Sequence, residues 1–241
     1  MNLILSNCRV QFTAEDIDFI VASLQPKVNS ADCLIRLLTD EDTRDIVLDD
    51  EKLFHAVLEH RGCLQISTHF YFYILVRQVL RKSGIQDRSV ADYVAEVLAE
   101  FSRTERMQCK PHGQEQPLNY FFEMLAALQK ADDITKFYIR THIGNHSLFL
   151  AGIFPEHIRH RAQTRGFPAL EYYEELGRAN YRVARDHRLA RKYALQEIFD
   201  ILSERFHDTR IALNDLGDRL LTLGEEPGVN PALMSAFKFG I

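Results

Sequence analysis

Residues 137–160 read FYIRTHIGNHSLFLAGIFPEHIRH. Ile139, Ile143, His146, Leu150 and Phe154 recur at steps of four, three, four and four. That spacing aligns side chains on one face of an α-helix. The segment is therefore expected to be helical over 133–151, opened by Asp132 or Asp133 and stopped at Pro155. His146 falls in the apolar stripe, so it is expected inside. His142 lies on the adjoining line with Tyr138, Asn145 and Phe149, at the edge of the buried face. Gly144 in mid-helix costs up to about 1 kcal/mol against alanine, so it marks either a close approach of another backbone or a break.

Helix punctuation continues outward in both directions. Thr13 precedes AEDIDFIVASL, with Asp16 three residues on as in a capping box. Ser30 opens ADCLIRLL, and Asp49 or Asp50 opens EKLFHAVLEH. Residues 66–82 form a strongly apolar run that ends in Arg81-Lys82-Ser83-Gly84. Cations in the last turn and a glycine after it suit a helix C-terminus. Ser89 is placed as the cap of VADYVAEVLAEFSR, Pro117 before LNYFFEMLAALQK, and Pro168 as the first residue of ALEYYEELGRANYRVARDH. Two more helical stretches follow, near 190–206 and 209–223. Strand alternation is confined to residues 2–12 and 46–48, which have no sheet to join.

The expected fold class is all-α: a multi-helix bundle of about eight or nine helices with short connections. The chain is read as a single helical domain over 1–241. The polar stretch SRTERMQCKPHGQEQP, near 102–117, is the place for a subdomain division. At 46% hydrophobic and 26% charged residues the composition supports a substantial core. The four cysteines (Cys8, Cys33, Cys63 and Cys109) show no paired spacing and read as reduced thiols, which suits a cytoplasmic protein. The N-terminal MNLILSNCRV lacks a basic region and a long apolar run, so no signal peptide is expected. No run approaches the roughly 18–20 apolar residues of a membrane span.

Chemistry concentrates in the histidines. His142 and His146 are spaced i,i+4, and His157 and His160 i,i+3, so each pair would share a helix face. Folded together across the 152–155 corner, the four would offer neutral imidazoles to a transition metal, with Glu156 nearby. As packing residues they would be two core and two surface histidines. HExxH is absent, and only Glu204-Arg205-Phe206-His207 matches the Glu-x-x-His unit of a di-iron bundle, which needs two. His207-Asp208 resembles the paired ligands of metal-dependent phosphohydrolases, with His187 and Asp215 or Asp218 as the other ligands. His69, among Phe70, Tyr71, Phe72 and Tyr73, is a place for a flat cofactor or a hydrogen-bonded core histidine. No phosphate loop, nucleophile elbow or dinucleotide fingerprint occurs.

The net charge of −5 gives no overall pull toward nucleic acid. The charge is uneven, however: residues 156–192 carry nine Lys/Arg against five Asp/Glu. Arg178, Arg182 and Arg185 share a helix face, which would suit a solvated surface, an acidic protein partner or, least of the three, phosphates. Phe206, Leu213, Leu216, Leu220 and Leu223 form a short heptad-like seam. It packs within the chain or, through the 206–223 helix, makes a homodimer.

These observations favour a non-enzymatic cytosolic protein, a regulatory or accessory subunit acting through protein–protein contacts, with no resident cofactor. The first alternative is a metal-binding or metal-dependent hydrolytic protein using His142, His146, His157 and His160. The second is a nucleic-acid-associated protein using the Arg178, Arg182 and Arg185 face.

Overall fold

A computed structural model describes residues 3–24, 40–59, 66–102, 107–111 and 116–224, with the backbone alone over 218–224. The expected helix after Ser30 and the apolar C-terminal tail lie outside these residues. The protein is all-α. Among the described residues there are twelve α-helices, one 3-10 turn at Arg9–Gln11, and no strand beyond a single bridge between Cys109 and Leu118. The helices are α1 (Ala14–Leu24), α2 (Glu41–Leu48), α3 (Glu51–Glu59), α4 (Thr68–Lys82), α5 (Arg88–Phe101) and α6 (Phe121–Lys130). They continue as α7 (Asp133–Ile153), α8 (Pro155–Arg165), α9 (Leu170–Arg185), α10 (Arg188–Lys192), α11 (Gln196–Glu204) and α12 (Phe206–Gly224). No described helix is long and apolar enough to cross a membrane.

The tally exceeds eight or nine because local caps divide stretches that periodicity runs together. Ile46–Leu48, expected to be extended, lies inside α2, where the Asp40 side chain accepts from the Thr43 N–H and nucleates the turn. Asp87 rather than Ser89 caps α5, accepting from Val90 N–H at 3.0 Å. Pro168 stands before α9, whose first residue is Leu170. The stretch 190–206 is cut between α10 and α11, where Ala194 adopts φ +55°. Pro155 opens α8 in the first-turn position that needs no N–H.

One large apolar core runs from Ile4 to Leu216 and so includes residues on both sides of the polar stretch near 102–117. Its long central members are α4 and α7. α4 packs on α5, and α7 packs most extensively on α9. α12 lies against both α7 and α4. A smaller cluster, Cys109, Met124, Leu128, Ile139 and Ile143, joins α6 to the first half of α7.

Close approach between these helices depends on glycine. A Cβ on Gly144 would sit 2.8 Å from the Tyr181 ring, and one on Gly152 would sit 2.9 Å from Leu213. Gly144 thus marks an approach, not a break: α7 is continuous through it. Gly177 is tightest, with a Cβ only 2.4 Å from the fully buried Phe206 ring. Gly177→Ala should therefore destabilise the protein by about 1–3 kcal/mol despite alanine's better helix propensity. Urea unfolding measures this; a gain in stability would show that α9 and α12 are not so close.

Buried carboxylates tie the N-terminal part together. Asp16 caps α1 through the Thr13 N–H and also accepts from the Ser67 N–H and hydroxyl at the start of α4, both at 2.6 Å. Asp92 accepts from the backbone of Cys8 and Arg9, pinning the first segment to α5. Burial opposes ionisation of Asp49. Bidentate Arg77, with Arg81 and Arg88, nonetheless holds its carboxyl below the usual range.

Candidate functional site

The two histidine pairs separate. His142 and His146 are 8% exposed on the inner face of α7, whereas His157 and His160 are exposed on α8. The first pair stands on the 21-residue α7 and the second on α8, which follows it after the break at Phe154. Among the described residues no group of three or more His, Cys, Asp or Glu side chains is arranged to hold a metal ion. The pairs therefore do not assemble into the four-histidine ligand set that their spacing suggested. His69 lies 3.6 Å from the Glu96 carboxylate, and His187 and His207 bond Asp133 and Glu174.

The buried pair is not equivalent. His142 donates from Nε2 to the Met107 carbonyl at 3.0 Å. Burial pushes its pKa down to about 4, against the effect of that bond. His146 is pushed down to about 3 by burial and then by its neighbour His142. Both rings are neutral at pH 7. His146 Nδ1 is fully buried and has no hydrogen-bond partner among the described residues. Such orphaned groups are uncommon and each asks for a reason. The His146 ring lies 5.0 Å from Phe121 and 5.9 Å from Phe101.

His146 also lines a cleft of about 630 Å³. Phe121, Leu150 and Tyr173 contribute to its walls, Met107 and Gln108 come from the loop held by His142, and Arg161 reaches it from α8. Tyr120, Phe122, Phe167 and Tyr172 also line it and are 61%, 69%, 42% and 41% exposed. These are all the exposed Phe and Tyr side chains among the described residues. Tyr120 and Phe122 stack on each other with planes 14° apart. The Arg161 guanidinium lies 3.8 Å from the Phe167 ring centroid, and its Nε is buried without a hydrogen bond. A half-open, mostly aromatic cleft with few polar groups matches the anatomy of binding sites.

The arginine face is largely spent on the protein itself. Arg178 bonds Glu175 and the Ser203 carbonyl, and Arg185 pairs with Asp186 and Asp200. Arg182 is exposed. A second hollow, of about 690 Å³, is lined mostly by polar side chains, among them Arg185, Asp186, Glu197 and Asp200, and the Arg185 pairings lie in its wall. In the heptad seam, Phe206, Leu213 and Leu216 are wholly buried inside their own chain, so they are not free to form a dimer face.

Sequence reasoning singled out His146 and took Arg161 only as part of the basic block, but missed Tyr120, Phe122, Phe167 and Tyr172. The signal was adjacency. In Tyr120-Phe121-Phe122 and Tyr172-Tyr173, neighbouring aromatics point to different sides, so unless the helix is covered all round, as at Phe70–Tyr73, some of each set turn outward. The chain matches no family model, no curated protein and no solved structure.

Proposed function

We propose that this chain is a single-domain helical regulatory or accessory subunit that acts through protein–protein contacts, and that the aromatic cleft docks a segment of an acidic partner. The carrying observation is the gathering of every exposed Phe and Tyr of the described residues around one cleft. Scattered apolar side chains on a surface need no explanation, but a contiguous patch does. Tyrosine and arginine are also the side chains that dominate interface energetics.

The expected charge of the partner comes from α8. That helix carries Arg159, Arg161 and Arg165 against Glu156 alone, with His157 and His160 beside them. Glu156 pairs with Arg159. The free thiols of Cys8 and Cys109, both buried, support a cytosolic setting. Burial moves the Cys109 thiol up to about 12, which keeps it protonated and unreactive.

The test is a combined Tyr120→Ala/Phe122→Ala/Tyr172→Ala variant. Its thermal midpoint should stay within a few degrees of the parent's, because the three side chains are exposed. Its capture of acidic partner proteins should fall by at least tenfold in a quantitative comparison with the parent. Equal capture by both forms would overturn the proposal. So would a single-stranded oligonucleotide that binds the parent more tightly than any acidic protein, since stacked aromatics beside cations also suit bases.

A further inference from the structure

We infer that the inner part of the cleft is a recognition pocket for a tyrosine side chain of the partner, with its ring held by the aromatic walls and its hydroxyl bonded to the His146 imidazole. This inference deepens the docking reading and rests on it.

Three observations lead here. First, His146 is a polar group left unspent at the lining of the cleft: its Nδ1 is fully buried and without a partner, and its Nε2, which makes no hydrogen bond and is not among the fully buried atoms, is the ring nitrogen a guest can reach. Its neighbour His142 is different, having committed its Nε2 to Met107. A half-buried ring nitrogen without a protein partner gains from a ligand group that bonds it away from water.

Second, the imidazole is neutral, so it offers one N–H and one lone pair. A phenolic hydroxyl can give or take a hydrogen bond and suits either tautomer. A carboxylate could use the N–H alone, and an ammonium the lone pair alone. Either charge would also be desolvated against Phe121 and Phe101, which is costly without an opposite charge.

Third, the surroundings are made for a ring. Phe121 stands 5.0 Å from His146 and 5.8 Å from Tyr173, so an aromatic guest meets ring edges and faces on more than one side. Arg161, stacked on Phe167 with its Nε unbonded, lines the same cleft. It would take an acidic side chain flanking the tyrosine. The cleft volume of about 630 Å³ holds a phenol and leaves room for its neighbours.

The test uses the full chain and three fluorescein-labelled peptides. Each is a short run of glutamates with one central residue: tyrosine, phenylalanine or alanine. Anisotropy titrations should show the tyrosine peptide binding at least about tenfold more tightly than the phenylalanine peptide, the gain of one buried hydrogen bond. The alanine peptide should be weakest. In His146→Leu the tyrosine and phenylalanine peptides should bind equally. That variant should fold, since it removes an unpaired polar group, and circular dichroism checks this. In the parent, ring-nitrogen resonances of His146 should move with the tyrosine peptide and not with the phenylalanine one.

Phenylalanine binding as well as tyrosine, with alanine weaker, would overturn the inference and leave the docking reading standing. Three peptides of equal affinity, or none that bind, would overturn both. A tyrosine preference that survives in His146→Leu would place the hydroxyl elsewhere and overturn the inference.

Discussion

Asn145→Ala should cost the fold about 4 kcal/mol. Asn145 is buried in α7, and its Oδ1 accepts from two phenols, Tyr93 of α5 and Tyr181 of α9, each at 2.7 Å. Both tyrosines are fully buried, so neither hydroxyl has water to fall back on. An orphaned buried hydroxyl costs about 1–3 kcal/mol, and alanine here orphans two. The Tyr181 ring cannot retreat easily, because it already lies over Gly144. Burial raises the pKa of both phenols far above the ordinary value, so neither escapes by ionising. Urea unfolding monitored by circular dichroism measures the loss. Restoring balance chemically should restore stability: Asn145→Leu combined with Tyr93→Phe and Tyr181→Phe should recover most of it, since no polar atom is then left unpaired. A loss below about 1 kcal/mol in Asn145→Ala would mean that this three-helix junction is not held by its hydrogen bonds.

Acidification from pH 7 to pH 4 should remove about 3 kcal/mol of stability through His142 alone. Its folded-state pKa, about 4, lies below the ordinary 6.5 because burial beside Phe101 and His146 disfavours the cation, against the opposing effect of the bond to the Met107 carbonyl. As pH falls below 6.5 the unfolded chain takes up a proton that the folded chain refuses. Stability is therefore present above that value and is lost as pH falls toward the folded pKa. His146, at about 3, adds to the loss over the same window and below it. Asp49 contributes elsewhere: Arg77, Arg81 and Arg88 hold its carboxyl below the ordinary carboxylate range, so its ion pairs persist to lower pH. His142→Gln keeps a donor for the Met107 carbonyl and does not titrate at that position, so between pH 6.5 and 4 its unfolding free energy should change by about 3 kcal/mol less than the parent's, the remaining loss being that of His146. Equal slopes in parent and variant would show that the ring is not buried neutral.

The helical class was legible because its determinants are local. The steps of four and three from Ile139 to Phe154 and the acid three residues after Thr13 are written in short stretches of chain. The capping box at Thr13 forms as expected. Competition between neighbouring polar residues was not legible. Asp87 and Ser89 are both competent caps, and the chain uses the earlier one. Buried position was read correctly for His146 and too shallowly for His142, whose covering residue, Met107, comes from a loop that no period predicts. The cleft was hidden for the same reason. Tyr120, Arg161, Phe167 and Tyr172 come from separate elements, α6, α8, α9 and their connections, and only packing makes them neighbours. Basic residues misled in the other direction: the periodic Arg178 and Arg185 satisfy carboxylates on their own chain.

Hydrogen exchange with and without the glutamate–tyrosine peptide tests docking in the aromatic cleft most directly. Protection is predicted in two places, around residues 119–124 and around 161–173, where the chain supplies Tyr120, Phe122, Arg161, Phe167 and Tyr172. Exchange elsewhere should be unchanged. Protection confined to α12 or to the polar hollow at Arg185 and Glu197, with none at the cleft, would contradict the account.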